Sequence, residues 1–135
     1  MTLYVDTSAL VKLLVAEPET ETFRELLSRH ERVVTSALSH VELLRVAHRI
    51  GPDCVPAATK ILDSLYLISL SNPIIWAAGN LLPGSALRSL DAIHLAAAAS
   101  MPDLAAVCTY DERMRFAADH LGLHVVAPGA AGLAT

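Results

Sequence analysis

The stretch Leu3-Tyr4-Val5-Asp6-Thr7-Ser8 decides the fold of this chain. Its first three residues are all apolar, and a run this short and this apolar is typical of a strand buried inside a sheet. Asp6 follows the strand directly, and a helical pattern begins within two residues of it. The sequence therefore predicts a buried strand that leads straight into a helix, with a carboxylate at the junction.

Outward from this stretch, short apolar runs alternate with longer helical patterns. We predict further strands at residues 32–35, 106–109 and 124–126, and one at 67–70 that could instead extend the helix before it. Helices are predicted at residues 8–15, 20–30, 38–50, 56–65, 74–82, 91–100 and 112–121. Strands separated by whole helices cannot pair as hairpins. We therefore predict an α/β fold of three layers, α/β/α, with a mostly parallel central sheet of four to five strands.

Composition narrows the possible classes of protein. With 135 residues, 53% hydrophobic and 18% charged, the chain fits a single domain over residues 1–135 and argues against disorder. No apolar run is long enough to span a membrane, and Asp6 interrupts the N-terminal run, so we expect no signal peptide and a cytoplasmic protein. Cys54 and Cys108 show neither disulfide nor metal-ligand spacing.

A net charge of -4 argues against a protein that coats DNA, but not against an enzyme that binds phosphate through bound cations.

Four acidic residues stand where a parallel sheet would gather them. Asp6 and Asp111 each follow a predicted strand, and Asp91 opens the apolar helix at 91–100. Glu42 borders the apolar arc of the helix at 38–50. The carboxyl ends of parallel strands lie at one edge of a sheet and are where such folds bind ligands. We therefore expect the four carboxylates to share one site.

Each acid also has a structural interpretation. Asp6, Asp91 and Asp111 could be helix N-caps, and Glu42 could pair with Arg45 or Arg49 on its own helix. No lysine lies beside any of them in sequence, so we expect a cluster without neutralisation.

Two carboxylates about 5 Å apart repel by roughly 3 kcal/mol at an effective dielectric of about 20. A hard cation such as Mg²⁺ or Mn²⁺ would relieve that repulsion, and two divalent ions would cancel four negative charges.

Four motifs carry a resemblance to a known family. They are Val5-Asp6-Thr7-Ser8, the segment at 35–43, the segment at 87–96, and Thr109-Tyr110-Asp111. Together they resemble PIN-domain nucleases, and the short chain resembles the VapC-type toxins of toxin–antitoxin pairs. The resemblance runs over residues 3–128 and is least informative at 51–85.

The resemblance implies a Mg²⁺- or Mn²⁺-dependent endoribonuclease that cleaves RNA by metal-activated water. It implies Asp6, Glu42, Asp91 and Asp111 as the catalytic and metal-binding residues, with Asp6 and Asp91 the first choices as direct ligands. It also implies a homodimer that is inhibited by a cognate antitoxin protein. The protein would contact DNA only indirectly, through that antitoxin. The alternative is a catalytically idle PIN-like module that binds RNA or a protein.

Two other classes of α/β protein that react with phosphate are excluded, because the residues they require are missing from this sequence. A receiver domain would need a pair of acids after the first strand and a late lysine, but no lysine follows Lys60. A haloacid-dehalogenase phosphatase would need Asp-x-Asp at the same place, and Ser8 stands at the second position.

Several residues near the acids have two interpretations. Ser8 and Thr109 could bond a carboxylate or phosphate, but local capping is favoured. His94 could be a general base, but a packed or interface histidine is favoured. Trp76 is expected in the core or in a dimer interface rather than stacking on RNA. Nearby arginines are expected on solvated faces or in intramolecular pairs; they are Arg45, Arg49, Arg88, Arg113 and Arg115.

Overall fold

The computed structural model describes residues 1–130, which form a three-layer α/β/α domain. The strands are β1 (Thr2–Val5), β2 (Arg32–Ser36), β3 (Tyr66–Ile68), β4 (Leu104–Cys108) and β5 (Val125–Val126). The helices are α1 (Thr7–Leu14), α2 (Thr20–Ser28), α3 (Ala37–Ile50), α4 (Cys54–Asp63), α5 (Asn72–Gly79), α6 (Ser89–Ala99) and α7 (Glu112–His120). The predicted fold class is confirmed, with the larger of the two expected strand numbers.

The five strands form one sheet in the order β3-β2-β1-β4-β5, and every neighbouring pair is parallel. The strand that opens the chain is therefore the central one, flanked on both sides along its length. Val5 pairs with Cys108 of β4, so the residues after these two strands emerge at the same edge. This topology brings the segments that begin with Asp6 and Thr109 together.

Alternate side chains of β1 face opposite layers of helices. Leu3 and Val5 pack in a core with α1, α2, α3 and α4, whereas Tyr4 packs on the other face against Ala97 and Ala98 of α6. All three strand residues are completely buried. Burial on both faces explains why Leu3, Tyr4 and Val5 are consecutive apolar residues instead of alternating with polar ones.

The boundaries of some elements differ from prediction where turn chemistry decides them. The fifth helix begins at Asn72 rather than at 74 because Pro73 suits the first turn of a helix, where no intrahelical N–H is needed. It ends at Gly79, and Leu82 beyond it has a positive φ of 44° that no helix accommodates. The segment at 66–68 is a separate strand and not an extension of α4.

None of the helices in residues 1–130 is both long and apolar enough to cross a membrane.

The core below the sheet provides a test of the helix assignment. Leu43 of α3 is completely buried, whereas Val41 on the same helix is 55% exposed. We expect Leu43→Ala to lower the free energy of unfolding by about 2–5 kcal/mol, because it leaves a cavity, and Val41→Ala to change it by less than about 0.5 kcal/mol. Urea unfolding measures both. Equal losses would contradict this orientation of α3, the helix that presents Glu42.

Candidate active site

A small cleft opens at the carboxyl edge of the sheet, beyond the ends of β1 and β4. Its volume is about 170 Å³. The residues that line it are Asp6, Thr7, Ser8, Glu42, Arg88, Asp91, His94, Asp111 and Met114. The structure thus brings all four predicted acids into one cavity, although they come from four different parts of the chain.

Asp6 forms the floor of the cleft and is only 2% exposed. Its Oδ1 accepts hydrogen bonds from the Ser8 hydroxyl at 2.7 Å and from the Ala9 N–H at 3.0 Å, which makes Asp6 the N-cap of α1. Its Oδ2 accepts from the Thr109 hydroxyl at 2.6 Å. Burial raises the pKa of Asp6 above its usual range, although these hydrogen bonds oppose the shift.

Ser8 and Thr109 therefore do more than the favoured interpretation allowed. Each hydroxyl donates to Asp6, and each also accepts a backbone N–H from the loop after β4. Ser8 accepts from Tyr110 N–H at 2.9 Å, and Thr109 accepts from Asp111 N–H at 3.1 Å. The two hydroxyls cap that loop and fix the buried carboxylate at the same time.

Glu42 is held from two sides through a single oxygen. Its Oε1 accepts from the Thr7 hydroxyl at 2.7 Å and lies 2.7 Å from Nε2 of His94. Burial raises the pKa of Glu42, but the bonds from His94 and Thr7 outweigh it, and the net shift is downward. Within residues 1–130, neither Arg45 nor Arg49 forms an ion pair with it, so that interpretation is wrong.

Asp91 and Asp111 share one arginine. The Arg88 guanidinium donates from Nε to Asp91 Oδ2 at 2.9 Å and from Nη2 to Asp111 Oδ2 at 3.0 Å. The expectation of a cluster without neutralisation is therefore wrong for these two acids. That expectation considered only lysines adjacent in sequence, whereas Arg88 reaches Asp91 from three residues earlier.

The capping interpretation is correct for two of the acids and wrong for one. Asp6 caps α1, and Asp111 caps α7 by accepting from Met114 N–H at 2.9 Å. Asp91 lies inside the first turn of α6, whose N-cap is Arg88. Capping and a place in the cleft are compatible, because a cap directs its carboxylate to the helix N-terminus and both helices begin at this edge.

The donor set in the cleft consists of carboxylate and hydroxyl oxygens, which are the ligands that Mg²⁺ and Mn²⁺ favour. As the side chains stand, no three Asp, Glu, His or Cys residues within positions 1–130 are close enough together to hold an ion. Arg88 occupies oxygens of both Asp91 and Asp111. A divalent cation therefore fits the chemistry of the site, and it would compete with Arg88 for these oxygens.

Comparison with known proteins identifies the family. Residues 3–119 match the PIN domain. Ribonuclease VapC46 of Mycobacterium tuberculosis is 45% identical over 128 residues, which are 93% of this chain and 97% of that protein.

Solved structures agree in fold. The crystal structure of VapC20 from Mycobacterium tuberculosis, described as a Sarcin-Ricin loop cleaving toxin, has a TM-score of 0.75 and 19% identity, covering 93% of this chain and 99% of that one. A chain of a toxin-antitoxin complex from Klebsiella pneumoniae has a TM-score of 0.72 and 22% identity, covering 95% and 98%. The chain belongs to the PIN domain family and, within it, to the VapC-type proteins.

Proposed function

We propose that this chain is the toxin of a type II toxin–antitoxin pair and an endoribonuclease that depends on a divalent cation, Mg²⁺ or Mn²⁺. The observation that carries the proposal is the convergence of Asp6, Glu42, Asp91 and Asp111 on one cleft at the carboxyl edge of the sheet. The 45% identity to a protein named ribonuclease supports the same activity.

Each part of the chain has a definite task in this proposal. The four carboxylates would hold the cation, which when bound supplies the charge that activates water and stabilises the leaving oxygen. Ser8 and Thr109 keep Asp6 in place, and Thr7 keeps Glu42 in place. The Arg88 side chain is 55% exposed at the mouth of the cleft, where its guanidinium can contact a phosphate of RNA.

Two protein partners belong to the proposal. A cognate antitoxin is supported by the likeness to a chain from a toxin–antitoxin complex. A homodimer is supported by Trp76 of α5, which is 74% exposed next to Ile75 at 44%. The expectation that Trp76 could lie in the core is wrong, because a tryptophan in the core would have little of its side chain exposed. An exposed aromatic and aliphatic pair is typical of an interface.

The Arg88 bridge favours one other candidate, a catalytically idle module that binds RNA or protein. In that case Arg88 would keep its ion pairs with Asp91 and Asp111 when divalent cations are present. Cleavage of RNA with and without metal separates the two candidates.

We expect the purified protein to cleave RNA with Mg²⁺ or Mn²⁺ and to stop in excess EDTA. Asp91→Asn should lower cleavage by about 100-fold or more, because a lost ligand costs at least as much as a lost supporting group. Asp103→Asn is the matched control, since Asp103 lies at the opposite end of β4 and accepts from Thr2. Full activity in EDTA would contradict the proposed mechanism, and no activity with either metal would favour the idle module.

The products distinguish two kinds of ribonuclease. In the proposed mechanism a water activated by the cation would attack phosphorus, so the RNA 2′-hydroxyl would have no role as nucleophile. We therefore expect water to attack and the fragments to carry 5′-phosphate and 3′-hydroxyl ends. End-labelling and mass spectrometry identify the termini. Fragments with 2′,3′-cyclic phosphate would show the other mechanism.

The buried Asp6 should make the metal-free protein less stable as the pH rises. Its folded pKa is raised, so the folded state keeps the proton to higher pH than the unfolded chain, and the free energy of unfolding falls as the pH climbs above about 4. The side chain of Asn does not ionise, so Asp6→Asn removes this pH dependence, and its amide oxygen still caps the helix. Relative to wild type, we expect the variant to gain stability between pH 4 and pH 7 in EDTA.

Urea unfolding at each pH measures this difference. The lowered pKa of Glu42 has the opposite effect, but it is present in both proteins and cancels in the comparison. Asp53→Asn is the control, because Asp53 is exposed and caps no helix through its side chain. A difference between Asp6→Asn and wild type that stays constant with pH would mean that Asp6 acts only as a cap.

A further inference from the structure

A chain of buried hydrogen bonds leads from the central strand into the cleft. The Tyr4 hydroxyl lies 2.7 Å from Nδ1 of His94, and Nε2 of His94 lies 2.7 Å from Oε1 of Glu42. The three residues come from β1, α6 and α3, so this series of hydrogen bonds joins elements on both faces of the sheet. Tyr4 and His94 are almost fully buried, His94 lines the inner wall of the cleft, and the Glu42 side chain is 26% exposed there.

The proton positions along this chain follow from its last member. An ionised carboxylate can only accept, so Nε2 of His94 must carry the hydrogen that points at Glu42. In the neutral imidazole the other nitrogen, Nδ1, is then an acceptor, and Tyr4 must donate to it. The tyrosine hydroxyl carries one hydrogen, which can point at Nδ1 across the 2.7 Å that separate the two atoms. Tyr4 thereby selects the Nε2–H tautomer of His94.

The two oxygens of Glu42 have different surroundings. Oε1 takes the bond from His94 and the bond from Thr7, whereas Oε2 accepts no hydrogen bond from residues 1–130. Two donors on one oxygen fix the rotation of the carboxylate and leave the other oxygen free to bind something in the cleft.

We propose that Tyr4 and His94 are positioning residues for Glu42, which hold its Oε1 so that Oε2 serves as the cation ligand. The inference rests on the proposed function, because it concerns how the same site takes its divalent cation. Groups that hydrogen-bond to a ligand from behind orient it, and their loss typically weakens metal binding by 10- to 100-fold.

A histidine that only fills the core would not require this arrangement. The other five histidines of the chain are all at least partly exposed, and His94 alone is buried with both ring nitrogens on side chains. Its ring also meets that of Tyr4 edge-on, with centroids 6.0 Å apart, so its orientation is set by packing as well as by hydrogen bonds.

The test uses the full chain and Mn²⁺ alone as the probe. We expect Tyr4→Phe to weaken Mn²⁺ binding by about 10-fold or more in calorimetry, because Nδ1 of His94 loses its donor. Tyr110→Phe is the matched control: it also loses a 2.7 Å hydrogen bond, to the Pro128 carbonyl, but its ring packs against Phe23. Its Mn²⁺ affinity should equal that of wild type.

Two further measurements separate positioning from packing. Nitrogen-15 NMR of labelled histidine should show the Nε2–H tautomer for His94 in metal-free wild type. His94→Gln keeps an N–H donor for Glu42 and should bind Mn²⁺ more tightly than His94→Leu, which keeps none.

The outcomes are distinct. An Nδ1–H tautomer, wild-type Mn²⁺ affinity in Tyr4→Phe, or equal weakening in Tyr110→Phe would overturn the positioning role while leaving the proposed function intact. Wild type that binds no Mn²⁺ and cleaves no RNA would overturn the proposed function and this inference with it.

Discussion

The burial of the Asp6 carboxylate is the constraint on which the rest of the site depends. A carboxylate that is 2% exposed must obtain its hydrogen bonds from the protein, since water cannot provide them. Its donors are Ser8 and Ala9 at the start of α1, and Thr109 at the end of β4. Ser8 and Ala9 reach it locally at the helix N-terminus, whereas Thr109 can reach it only because β1 and β4 are adjacent and parallel. The satisfaction of one charge therefore fixes the geometry of the sheet edge.

The four acids are stabilised in three different ways, and the differences matter for function. Asp6 is surrounded by neutral donors and Glu42 by a histidine and a threonine, all of them at least partly buried. Asp91 and Asp111 instead depend on Arg88, whose side chain is 55% exposed. An ion pair whose arginine is largely exposed is partly screened by water and salt, even where the carboxylate is buried. Arg88 is thus the stabilising group that a cation at the proposed site would displace at the lowest cost, whereas the groups around Asp6 and Glu42 would remain.

The sequence was sufficient for the fold and for the convergence of four acids on one cleft, but not for the hydrogen-bond partners of those acids. Apolar runs and helical patterns identified all seven helices and four of the five strands within residues 1–130, and left β3 open as a possible extension of α4. Strand ends placed Asp6 and Asp111 at one edge. In the sequence Arg88 is one of several arginines near the acids, and because an arginine side chain is long enough for many partners, spacing alone cannot choose among them. The role of Tyr4 was missed for a different reason: its ring satisfies the apolar pattern of β1, and only the tertiary structure shows what its hydroxyl meets. The prediction that His94 is a packed histidine is correct, since the side chain is buried. The same buried ring is also hydrogen-bonded to Glu42, which the sequence did not indicate.

Helix α6 shows how packing makes this coincidence possible. Ala97 and Ala98 face the sheet, where they contact the layer that contains Tyr4, while Ala92 and Ala96 face Ala78 of α5. Small side chains allow a helix to lie close to its neighbours on two sides. That closeness lets a ring as short as imidazole span the distance from a hydroxyl on β1 to a carboxylate on α3. The alanine-rich run at 92–99, which in sequence indicates only a tightly packed helix, is therefore also the reason that the core and the cleft are joined by hydrogen bonds.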